Sequence, residues 1–143
     1  MTNDYITAYS NYRRAQAEAN DRNKIVVLDA LSAAGITSVT VEFDGEGDSG
    51  QINGVHCEPE TDITKIQVTT QHADWNNPAI SEQTETLESA VESLCYGYLL
   101  FEHGGWENND GAFGEFTIDV AARTIALEFS ARFSTYDTTW HDF

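Results

Sequence analysis

In VTVEF, apolar and polar residues alternate strictly: Val39, Val41 and Phe43 share one parity, Thr40 and Glu42 the other. A two-residue period of this kind predicts a strand with one buried face. The following DGEGDSG (residues 44–50) is made of turn residues, and a second strand is predicted around 51–56. KIQVTT (65–70) predicts a third strand. From residue 72 to 81 the pattern lapses into a loop holding Trp75, Asn76, Asn77 and Pro78.

Two segments follow the helical period instead. Residues 4–34 are rich in helix formers and end on Gly35, a residue suited to the position just past a helix. Their apolar face is read as Ile25, Leu28 and Leu31, with Val27 and Ala34 beside them. Before that, the apolar signal thins to Ile6, Tyr9, Tyr12 and alanines. Either one long helix extends past the core, or the chain breaks near Asn20-Asp21, where Asp21 would cap a second helix. The second helical segment spans about 81–102, where Leu87, Val91, Leu94, Tyr98 and Phe101 recur every three or four residues. Glu82, Glu85 and Glu88 are assigned to its first turns, where carboxylates meet the positive end of the helix dipole. Gly104-Gly105 ends it.

Alternation returns at the end of the chain. Phe116, Ile118 and Val120 form one apolar series and Ile125, Leu127 and Phe129 another, joined by the short VAART connection, so a hairpin is predicted. The order α-β-β-β-α-β-β predicts an α+β fold, an antiparallel sheet of about five strands with two main helices on one face. No linker or repeat divides the sequence, so residues 1–143 are read as a single domain, with 1–24 a candidate projecting helical arm.

Composition sharpens this picture through charge. The 143 residues carry 24 Asp and Glu against 7 Lys and Arg, a net charge of −17. Residues 1–24 sum to +1 and residues 25–143 to −18, so the acidity belongs to the folded body. Such a surface counts against direct binding of nucleic acid, whose phosphates require basic groups. MTNDYITAYS has neither the basic nor the apolar region of a signal peptide, and no apolar run reaches the roughly 18 residues of a membrane span. Cys57 and Cys95 form no spaced motif and are expected as free, partly buried thiols. The expectation is a cytoplasmic protein with no membrane association.

Candidate chemistry is sparse. DGEGDSG places Asp44, Glu46 and Asp48 as an EF-hand loop would, but Ser49 stands where glycine is needed and Val55 where the bidentate glutamate is needed. An acidic hairpin turn is the better reading. His56, His72, His103 and His141 lack the tight spacing of a structural zinc site, and there is no GxSxG or GxxxxGK motif. No cofactor or metal is therefore assigned. HGGWENNDGAFGEF (103–116) is dense in glycine, amides and acids. Asn109-Asp110-Gly111 has strong turn chemistry, and Trp106 and Phe113 are read as anchors of the loop on the core. The same stretch could serve as a recognition surface.

LESAVESLCYGYLLFEHGGWENNDGAFGEFTIDVAARTIALEFSARF resembles a proteobacterial domain family of unknown function. The shared features are the acidic helix, the GWENNDGAFGEF loop, the FTIDVAARTI hairpin and a polar aromatic tail. The resemblance covers roughly the last 60 residues. It implies a small bacterial cytoplasmic protein and transfers no catalytic residue.

The expected function is a non-catalytic acidic interaction protein. Its partner would be a basic surface, such as a nucleic-acid-binding protein in bacterial defence or anti-defence, with the acidic chain acting as inhibitor or nucleic-acid mimic. The partner-binding candidates are Glu42, Asp44, Glu46, Asp48, Glu107 and Asp110, with Trp75 and Trp106 as anchors. Two alternatives stay open. One is a metal-dependent enzyme using the 103–115 loop. The other is a structural subunit forming a homo-oligomer through residues 4–34.

Overall fold

The apolar parity of VTVEF forms the centre of the core: Val39, Val41 and Phe43 are all buried. The computed structural model describes residues 2–46, 49–73, 80–103, 111–132 and 138–142. In chain order the elements are α1 (Thr2–Ala33), β1 (Ser38–Glu46), β2 (Ser49–Glu58), a short 3-10 turn (Ile63–Lys65), β3 (Gln67–His72), β4 (Ser81–Thr86), α2 (Leu87–Glu102), β5 (Ala112–Asp119) and β6 (Thr124–Ala131). Four strands form one antiparallel sheet in the order β2-β1-β5-β6, and β3 and β4 form a separate two-stranded sheet. The class is α+β, as the pattern predicted.

Register explains why one face of the larger sheet is apolar. Val39 stands opposite Ile118, and Val41 opposite Phe116. On the next strand Ile118 meets Ile125 and Phe116 meets Leu127. Val27, Leu28 and Leu31 of α1 and Leu87, Val91, Leu94 and Leu99 of α2 complete the same cluster. At roughly 1.5–3 kcal/mol for each fully buried aliphatic side chain, this cluster is the main source of stability.

The helix ends follow local chemistry. Gly35 adopts φ +78°, and Ile36 N–H and Gly35 N–H reach back to the Leu31 and Ser32 carbonyls, both at 3.0 Å. This pair of bonds is the Schellman arrangement, and glycine reaches the left-handed region without a Cβ penalty. α1 is continuous, so of the two readings at Asn20-Asp21 the single helix holds. From Thr7 to Glu18 its side chains are exposed or half-buried, and full burial begins at Ala19.

Three expectations are corrected. Ile25 does not face the core; it is 55% exposed. The buried stripe runs instead through Asn20, Asn23, Val27 and Leu31. Asn23 can be buried because β3 satisfies its amide on both sides. Its Nδ2 donates to the Gln71 carbonyl and its Oδ1 accepts from the Gln71 N–H, each at 2.8 Å. The side chain acts as a short third strand on the free edge of β3. Second, residues 81–86 are strand rather than the first turns of α2. They pair along their length with β3, and Thr86 is the true N-cap, accepting from Ser89 N–H at 3.1 Å. The i, i+3 glutamates mimicked a helix start, but Thr84 and Thr86 favour strand, and β3 supplies the pairing partner. Third, this additional strand makes six among the described residues, and they divide into two sheets rather than one of five.

Candidate functional site

Among the described residues both helices pack on the apolar face of the larger sheet, and the opposite parity of β1, β5 and β6 points away from them. That parity is acidic by register. Glu42 stands opposite Glu115, and Glu115 opposite Glu128, which puts three carboxylates in a row across three strands. Residues directly opposite on an antiparallel pair have Cβ atoms about 4.5–5.5 Å apart. The adjoining row toward the β1–β2 turn is Asp44, Phe113 and Ser130. Toward the other end, Ser38 stands between Glu58 and Asp119.

Among the described residues no ion pair reaches Glu42, Glu115 or Glu128. The cation nearest in the register is Arg132, and it is committed elsewhere. Its Nη2 lies 2.9 Å from Asp44 Oδ1, its Nη1 donates to the Gly45 carbonyl at 2.9 Å, and its guanidinium sits 4.8 Å from the centre of the Phe113 ring. Phe113 stays 44% exposed beneath it. A shallow basin of about 420 Å³ lies on this face, lined by Glu42, Asp44, Asn53, Phe113, Glu115 and Glu128 among others. Its chemistry is that of acceptors around one aromatic ring. It suits guanidinium and ammonium groups, as the Arg132 guanidinium already seated over part of Phe113 illustrates.

Of the sequence candidates, Glu42 and Asp44 lie on this face. Glu46 closes β1, paired with Ser49, so DGEGDSG belongs to a hairpin between two strands rather than to a loop between helices. Asp48, Trp75, Trp106, Glu107 and Asp110 lie outside the described residues. Phe113 is not an anchor on the core; β5 turns it outward. Glu128 entered none of the sequence hypotheses. Its alternation with Leu127 and Phe129 marks it as outward, but only the pairing of β5 with β6 sets it beside Glu115.

A second polar cluster lies on the small sheet and is partly buried. Glu85 and Thr70 of the small sheet are 8% and 2% exposed. Thr70 Oγ1 donates to Glu85 Oε2 at 2.6 Å, and His72 Nε2 lies 2.9 Å from Thr70 Oγ1 and 3.2 Å from Glu85 Oε2. Glu85 Oε1 has no hydrogen-bond partner. With Thr70 closed to solvent, its hydroxyl is placed to hold the carboxylate rather than to attack a substrate. Both cysteines are free thiols, Cys57 half-buried and Cys95 buried. Burial, with a smaller contribution from Glu92, pushes the Cys95 thiol up to about 12. Among the described residues no three His, Cys, Asp or Glu side chains converge closely enough to hold a metal ion, and no described helix is long and apolar enough to cross a membrane.

The chain belongs to a family of unknown function, DUF6878, whose model matches residues 19–143. The match begins at Ala19, the first buried residue of α1 from Thr7 onward, and takes in both sheets and α2. No curated protein and no solved structure matches the chain.

Proposed function

We propose that the protein is a non-catalytic interaction module that presents the open face of its four-stranded sheet to a basic partner. The observation carrying this reading is the row Glu42, Glu115 and Glu128, set side by side across three strands with no ion pair to any of them among the described residues. Like charges directly opposite on a sheet are destabilising, so this row stores repulsion that a cationic surface would relieve. Phe113 beside it offers an apolar contact at the centre of the same face. The surplus of −18 over residues 25–143 adds long-range steering of a basic partner. A groove built for nucleic-acid phosphates has the complementary chemistry. The reading therefore extends to a bacterial cytoplasmic inhibitor or nucleic-acid mimic, whose partner is itself a nucleic-acid-binding protein.

The test is a pull-down from nuclease-treated bacterial lysate, washed at low and at high salt. The expected result is retention of a basic, nucleic-acid-binding protein, released by salt and displaced by DNA or RNA. The triple variant Glu42→Gln/Glu115→Gln/Glu128→Gln should lose it. Retention of the same partner by that variant would remove the sheet face from the model. Absence of any salt-sensitive partner would reduce the acidity to a solubility device.

A further inference from the structure

On the opposite side of the larger sheet, the two helices leave part of β6 uncovered. Ile125 and Leu127 remain half-buried there, although they belong to the apolar parity. The gap is a cavity of about 300 Å³ lined by Asp21 and Lys24 from α1, Tyr98 and Glu102 from α2, and Phe116, Ile125 and Leu127 from the sheet. That volume is at the lower end of small-molecule sites, roughly 300–1,000 Å³. The composition also fits such sites: an apolar floor with a few polar groups at the rim.

The rim charges are uncommitted. Asp21, Lys24 and Glu102 make no ion pair among the described residues. Two carboxylates stand against one ammonium, so the rim is net negative. Tyr98 senses this. Its phenol is pushed up to about 12, chiefly by burial and next by the negative charge of Asp21. Burial opposes a charge of either sign, and it is the Asp21 contribution that favours a cation over an anion at this position. At neutral pH the phenol oxygen is free to accept from an ammonium group, and its ring lies beside Phe116, with centroids 6.4 Å apart.

We propose that this cavity is a binding site for a small amphipathic amine, its apolar body on Phe116, Ile125 and Leu127 and its ammonium between Asp21 and Glu102. The charge of the remaining molecule supports the choice of sign, since an anionic amphiphile would have to approach a protein of −17 to reach Lys24. The site is on the other face of the sheet from the carboxylate row and is independent of the partner-binding reading.

The experiment is an NMR titration of protein labelled at the Ile and Leu methyl groups, with phenethylamine as probe. Phenethyl alcohol and hydrocinnamate serve as neutral and anionic controls of similar shape. The expected result is saturable shifts at Ile125 and Leu127 with the amine, and affinity at least about tenfold weaker for the alcohol and the acid. Asp21→Asn/Glu102→Gln should weaken the amine by about tenfold or more, whereas Lys24→Gln should leave it unchanged or tighter. Glu42→Gln/Glu115→Gln/Glu128→Gln should bind the amine as the native chain does, which separates a local site from general attraction to an acidic protein. Equal binding of amine and alcohol, preference for the acid with loss in Lys24→Gln, or no saturable shift at Ile125 and Leu127 would each overturn the proposal.

Discussion

Glu115 is the middle member of the carboxylate row and has a like charge on either side, Glu42 on β1 and Glu128 on β6. Replacing it with glutamine should therefore stabilise the fold. The magnitude follows from geometry. Two unit charges about 6 Å apart repel by roughly 0.7 kcal/mol in water, and measured cross-strand pair effects run from about 0.2 to 1 kcal/mol. Glu115→Gln removes two such pairs, so the expected gain is about 0.5–2 kcal/mol. Glu42→Gln and Glu128→Gln each remove one and should give about half. Urea unfolding at low salt reads this directly as a shift in midpoint at constant slope. In 1 M NaCl the Debye length falls to about 3 Å, shorter than the pair separation, and the three variants should converge on the native chain. A gain from Glu115→Gln no larger than that from Glu128→Gln would refute the three-in-a-row geometry. A gain that persisted unchanged at high salt would show that its origin is not electrostatic. The same substitution should weaken the proposed basic partner, so stability and binding should move in opposite directions.

Other consequences test the rest of the structure. Gly114→Ala would drive a Cβ into the Glu128 carbonyl oxygen and place it 2.9 Å from Phe43 Cζ. Because the first of these is backbone of the neighbouring strand, a loss of about 3 kcal/mol or more is expected in thermal or urea unfolding, and a near-neutral result would contradict the β5–β6 register. Asn23→Ala removes both bonds to Gln71. It should cost about 1–3 kcal/mol and raise amide exchange at Gln71, and protection there as in the native chain would mean that α1 does not cap β3. For Cys95 the folded thiol lies at about 12 against an ordinary 9.0, raised by burial and then Glu92. Between these values the unfolded chain gives up its proton and the folded chain keeps it. The contribution of this thiol is thus complete below pH 9 and is lost as pH rises toward about 12. The linkage amounts to a loss on the order of 4 kcal/mol. Cys95→Ala should flatten this part of the pH–stability curve, and native protein at pH 8 should show no reaction of Cys95 with a thiol reagent until it unfolds.

Much of this molecule is fixed by short-range order. The alternation at Val39, Val41 and Phe43, the two apolar series flanking VAART and the helical period through Leu87, Val91 and Leu94 each specify an element within a dozen residues. Each is found where its period placed it. Gly35 marks the end of α1 for an equally local reason, its freedom at positive φ. The net charge and its concentration after residue 24 are properties of composition alone. What the chain could not declare locally depends on which distant backbone comes alongside. Residues 81–86 have the glutamate spacing of a helix start, and only β3 lying beside them makes them a strand. Asn20 and Asn23 are polar residues at buried positions; Asn23 is tolerated there because Gln71 meets its amide on both sides, while Ile25 is left outside. Glu42, Glu115 and Glu128 are separated by 73 and 13 positions and carry no mutual pattern, yet antiparallel register makes them neighbours. Periodicity states which way a side chain faces. Who stands next to it is set by strand order and register, which are decided by burial of the whole core and not by any one segment.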